Sequence, residues 1–87
     1  DEAEFLIWKI WSQFLIAPDK KAAYGDAANS IESALKKNAR CAPGHLFLGH
    51  MSKIVGDLNG AEKHFKRGLA IEPNNGELQR ELKYLRK

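Results

Sequence analysis

From Glu4 onward the apolar residues Leu6, Ile7, Ile10, Trp11, Phe14 and Leu15 recur at spacings of three and four, which puts them on one wide face of a helix. Pro18 and Asp19 end that run. A second periodic run follows from about Asp19 to Asn38, with Ala23, Ala27, Ile31, Ala34 and Leu35 on one side and Lys20, Asn29, Glu32 and Lys36 elsewhere. Its start has two readings, because Gly25-Asp26 is itself a turn signal. Pro43 suits a first helical position, and Leu46, Phe47, Met51, Ile54 and Val55 form the apolar side of a third helix that Gly56 can close in a left-handed conformation. Asn59 with Glu62 predicts the cap of a fourth helix carrying Ala61, Phe65, Leu69 and Ile71 and ended by Pro73. Asn74 with Glu77 repeats that start signal for a fifth helix through Leu78, Leu82 and Leu85. No segment alternates in polarity as a strand would, so the fold class is all-α with about five helices.

Parts of the chain also match each other. Stepping back about 34 residues from Ala61, Phe65, Gly68, Leu69 and Pro73 reaches Ala27, Ile31, Ala34, Leu35 and Ala39, which keep the order small, large, small, large. The preceding helices align, Leu46–Ser52 with Leu6–Ser12, only if about six extra residues lie between Ile16 and Asp26. A fixed period of this kind predicts stacked helical hairpins, in which Gly49, Ala61 and Gly68 act as holes for side chains such as Leu48, Phe65 and Leu69 on facing helices.

The residues from Ala42 to Pro73 resemble a tetratricopeptide repeat: Leu48-Gly49 in the first helix, Ala61 and Phe65 in the second, Gly68 at a further small position, and a closing Pro73. The stretch from about Phe5 to Cys41 resembles a degenerate copy, with Lys9 where Gly or Ala is usual and Ala39 where Pro is usual. The tail from Glu77 to Lys87 is similar to the capping helix that ends such arrays. The resemblance implies antiparallel helical hairpins in a short right-handed solenoid. Repeat one would span about residues 3–41, repeat two about 42–74 and the cap about 75–87.

Composition narrows the function classes. At 87 residues, 44% hydrophobic and 29% charged, the chain is one globular domain and not a disordered segment. The longest apolar stretches, Phe5–Trp8 and Phe14–Ala17, fall far short of the roughly 20 residues a membrane span needs, so no membrane partner is expected. An acidic start (Asp1, Glu2, Glu4) lacks the basic region of a signal peptide, and the single Cys41 fits a reducing, cytoplasmic setting. A chain beginning at Asp1 is expected to belong to a larger protein. The net charge of +3 is uneven: residues 1–40 carry six acidic and six basic side chains, residues 41–87 five and eight. Lys63, Lys66, Arg67, Arg80, Lys83, Arg86 and Lys87 make the second half basic, which admits nucleic acid as a less favoured partner beside a merely solvated helix face.

Candidate chemistry is sparse. His45, His50 and His64 with Cys41 lack zinc-ligand spacing, and His45 and His50, five residues apart, diverge on a helix. No phosphate loop, nucleophile elbow or dinucleotide fingerprint occurs, and nothing in the spacing gives Cys41 an orienting partner. The expectation is therefore no catalytic residue, no metal and no cofactor. Trp8 and Trp11, with Phe5 and Phe14, read as core, although Trp8 lies at the margin of the apolar face, where it can be exposed at the open N-terminal edge.

What the resemblance implies is a non-enzymatic protein–protein interaction scaffold that binds a peptide or protein segment on the concave first-helix surface. The family's groove positions fall on Leu6, Ile10 and Gln13 in the first repeat and on Leu46, His50 and Lys53 in the second. The Lys and Asn pattern with which chaperone-binding members hold a C-terminal carboxylate is missing. A homo-oligomer through the aromatic N-terminal helix is the other form this expectation takes.

Overall fold

The computed structural model describes residues 2–38 and 40–85; Asp1, Arg86, Lys87 and Ala39, the counterpart of Pro73, lie outside the described residues. Five helices follow one another: α1 Glu2–Ile16, α2 Lys20–Lys37, α3 Ala42–Ile54, α4 Leu58–Ile71 and α5 Gly76–Leu85. Among the described residues there is no strand.

Local chemistry sets the boundaries. Asp19 opens α2, its Oδ1 accepting from the Ala22 N–H at 3.1 Å, and the helix then runs without interruption through Gly25-Asp26. Helix α3 ends at Gly56, whose φ of 91° is the expected left-handed conformation and turns the chain so that the Asp57 N–H reaches the Ser52 carbonyl at 2.8 Å. Two expected caps move. The fourth helix is opened by Asp57, which accepts from the Gly60 N–H at 3.0 Å, and not by Asn59. The fifth is opened by Asn75, which accepts from the Leu78 N–H at 3.1 Å, and not by Asn74. Asp57 stands two residues before the expected cap and Asn75 one residue after it, each immediately preceding the first residue of its helix.

The extra residues expected between Ile16 and Asp26 are helix. Helix α2 has 18 residues against 14 in α4, and α1 has 15 against 13 in α3, while the links at 17–19 and 55–57 are equal in length. Capping by Asp19 and by Lys20, whose Nζ donates to the Leu15 and Ala17 carbonyls at 2.9 and 2.7 Å, closes the α1–α2 corner.

Packing joins α1 to α2, α3 to α4, and α5 to α4, with α3 also touching α1 and α2. One core gathers Ile7, Ile10 and Phe14 of α1, Ile31 and Leu35 of α2, and Phe47, Leu48 and Met51 of α3. A second joins Ala61 and Phe65 of α4 to Leu78 and Leu82 of α5, and Leu46 lies against both. Glycine marks the seams: the Leu35 side chain rests over Gly44, the Phe65 ring over Gly49 and Leu78 over Gly68. Gly49 is filled by Phe65, one of the expected side chains, whereas Gly68 is filled by Leu78 of α5, which was not among them. Polar ties also cross between helices, among them Tyr24 to Ser52 at 2.9 Å and Lys53 to Glu81 at 2.8 Å.

Candidate interaction surface

A chain of rings runs from α1 through α3 into α4. Trp8 and Trp11 are three residues apart on α1, and Phe47 and His50 are three apart on α3, so two like-spaced pairs meet. Trp11 stacks on Phe47 with centroids 5.0 Å apart and planes within 3°, while Trp8 meets the same ring edge-on at 4.7 Å. Trp11 also reaches His50 at 5.7 Å, and His50 turns its edge to Phe65 at 5.6 Å. Aromatic pairs in these arrangements contribute about 0.5–1.5 kcal/mol each beyond their buried area, so the α1–α3 seam is held in one geometry.

The six expected groove residues divide between two surfaces. Leu46, His50 and Lys53 line up along α3, where Leu46 spans the two cores, His50 is half-buried among the rings and Lys53 is exposed beside Glu81. Leu6, Ile10 and Gln13 instead border a shallow depression shared with Ser30 and Ser33 of α2, and Ile10 is buried. It is Trp11 that meets His50 from α1. Because α1 is apolar around most of its circumference, spacing alone does not say which flank faces α3.

On the adjoining flank of α1, Phe5, Trp8, Ser12 and Ile16 border a second shallow surface that shares Lys9 and the expected groove residue Gln13 with the first. Trp8 is half exposed there, yet it is anchored on Phe47, so it stands beside α3 and not at an edge remote from it. Phe5, Ser12 and Ile16 are the members of this surface that the apolar face drawn from the sequence leaves out; their spacing of seven and four was the available signal.

Burial pushes the Cys41 thiol above its ordinary value, partly offset by its hydrogen bond with the Gly44 backbone, which keeps it protonated and a poor nucleophile. Burial lowers His50, against the pull of the Glu81 and Glu77 carboxylates. Burial, then the positive charge of Arg67, lowers His64, whose Nδ1 is enclosed without a hydrogen-bond partner. Both imidazoles are neutral at pH 7. Among the described residues no three His, Cys, Asp or Glu side chains gather as a metal site would require, and no helix is long and apolar enough to cross a membrane.

No protein-family model matches the chain, and no curated protein matches it.

Proposed function

We propose that this chain is a tetratricopeptide-type helical repeat module, two hairpins and a capping helix, that acts as a protein–protein interaction scaffold without a catalytic role. The observation that carries this reading is the exposed apolar flank of α1, Phe5, Trp8 and Ile16, whose Trp8 packs on Phe47 of α3. Large apolar side chains left exposed to solvent and rimmed by Lys9, Ser12 and Gln13 suit an apolar segment of another chain. The glycine seams support the repeat reading.

The test is a titration of isotopically labelled protein with a panel of amphipathic helical peptides, followed by amide and indole resonances. Shifts centred on Phe5, Trp8 and Ser12 support the reading; a panel that leaves the indoles unmoved, together with salt-sensitive oligonucleotide binding that moves Lys63, Arg67 and Lys83, favours a nucleic-acid-binding domain. Two basic groups of the second half already have carboxylate partners, Lys53 with Glu81 and Lys66 with Glu62 at 2.9 Å, which weighs against that alternative.

A further inference from the structure

Helix α1 offers more apolar surface than its own fold uses. Ile7, Ile10 and Phe14 are buried, but Phe5 remains 72% exposed, Trp8 49%, Leu15 47% and Ile16 82%. Phe5, Trp8, Ser12 and Leu15 follow one another at spacings of three, four and three, the two-per-heptad spacing of a helix–helix seam, and Ile16 widens its end. One member of the seam is small. Ser12 turns its hydroxyl back onto its own helix, donating to the Trp8 carbonyl at 3.0 Å, so it presents a shallow notch without an unsatisfied polar group.

We propose that a second copy of this chain covers the seam, its α1 lying antiparallel to the first about a two-fold axis near residue 10. That axis sets Trp8 of each copy into the Ser12 notch of the other, and Phe5 of each against Leu15 and Ile16 of the other. Each contact is made twice, as a two-fold interface requires. A parallel pairing would oppose Trp8 to Trp8 and leave Ser12 facing Ser12, one place overfilled and the next empty.

Charge favours the same direction. The first turn of α1 carries Glu2 and Glu4, and its last turn has no basic residue of its own but is capped by Lys20 through the Leu15 and Ala17 carbonyls. Antiparallel packing brings the acidic start of each helix toward the Lys20 end of the other, and it also opposes the two helix dipoles; parallel packing would cluster four carboxylates.

The exposed fractions of the four large side chains amount to roughly 500 Å² per copy, or about 1,000 Å² in the pair, the lower end of specific interfaces. The association is accordingly weak. This inference rests on α1 being the interaction face, but names its occupant.

Sedimentation equilibrium of the 87-residue chain from about 5 to 500 µM tests it, with an average mass rising from 9.8 kDa toward twice that value as the expected result. Ser12→Trp fills the notch and Trp8→Ser empties the knob, so each variant alone stays monomeric. Mixing the two restores a dimer, because every large residue again faces a small one. Circular dichroism melts establish that both variants are folded; should Trp8→Ser fail to fold, Phe5→Lys replaces it as the variant expected to abolish the dimer. A wild type that remains monomeric at 500 µM overturns the proposal, as does a dimer that Ser12→Trp leaves intact, or two folded variants that do not complement. A monomer whose Trp8 indole still responds to a helical peptide overturns the self-pairing alone and leaves the scaffold reading standing.

Discussion

The ring of Phe65 occupies the space where a side chain of Gly49 would be: a Cβ built at that position lies within 2.7 Å of three ring carbons. Both residues are buried, and His50, next to Gly49 on α3, also contacts the ring, with centroids 5.6 Å apart. Neither α3 nor α4 can yield without disturbing a core, so Gly49→Ala is expected to destabilise despite the better helix propensity of alanine, by about 1–3 kcal/mol. In an 87-residue chain this lowers the melting temperature by roughly 5–20 °C. Gly49→Leu is expected to be worse. An unchanged calorimetric melt for either variant would refute the contact.

Much of this seam was legible in the chain. The spacing of apolar residues and the punctuation by Pro18, Gly56 and Pro73 mark five helices, and the pairing of Gly49 with Phe65 follows from a small residue facing a large one. Three things were hidden, each for a physical reason. Gly25-Asp26 leaves the start of the second helix with two readings, and it is capping by Asp19 and packing of Ala23 and Ala27 against the first core that carry the helix through it. The partner of Gly68 lies on α5, and no periodicity within α4 could point to Leu78. The flank of α1 that meets α3 is decided by the stacking of Trp11 and the edge-on contact of Trp8 on Phe47, since Leu6 and Ile10 satisfy the same helical spacing while bordering α2.

Gly25 is the counterpart of Gly49 in the opposite sense. It lies inside α2, is exposed, and a Cβ there meets nothing within 4 Å. Its φ is not in the left-handed region. Gly25→Ala therefore restricts the unfolded chain without a clash and is expected to stabilise by about 0.5–1 kcal/mol, raising the melting temperature by a few degrees. A fall in the melting temperature would show that α2 bends at this point and that Gly25 is needed for it.

Tyr24 and Ser52 tie α2 to α3 by a hydroxyl–hydroxyl hydrogen bond of 2.9 Å, and Ser52 has no exposure to solvent. Tyr24→Phe removes one partner and leaves the buried Ser52 hydroxyl to find another, at an expected loss of about 1 kcal/mol. Ser52→Ala in the Tyr24→Phe background should cost less than it does in the wild type, because the polar group left behind is then removed too. A double-mutant cycle read from urea unfolding is expected to give a coupling of about 0.5–1.5 kcal/mol. Strict additivity would mean that the bond contributes nothing to stability.

Acid is expected to weaken the fold through His50 and His64. Burial is the largest influence on each and lowers both below their ordinary value in the folded chain. The unfolded chain, whose histidines titrate near about 6.5, then binds more protons than the folded chain at any pH between the two values. The stability these neutral imidazoles confer is complete above about pH 7.5, declines as pH falls through the unfolded value, and stops declining below the folded one. Glu77 and Glu81 oppose the shift at His50 from α5, while Lys53 on α3 reinforces it. At His64, Arg67 and His45 reinforce the shift and Glu32 and Asp57 oppose it. Urea midpoints at pH 7.5 and 5.5 are expected to differ in the wild type and to converge in part in His64→Gln, whose position can no longer take up a proton on unfolding. Equal midpoints in the wild type, or a wild type more stable at pH 5.5, would mean that the imidazoles are hydrated in the folded chain and that the packing of His50 between Trp11 and Phe65 is looser than the ring distances indicate.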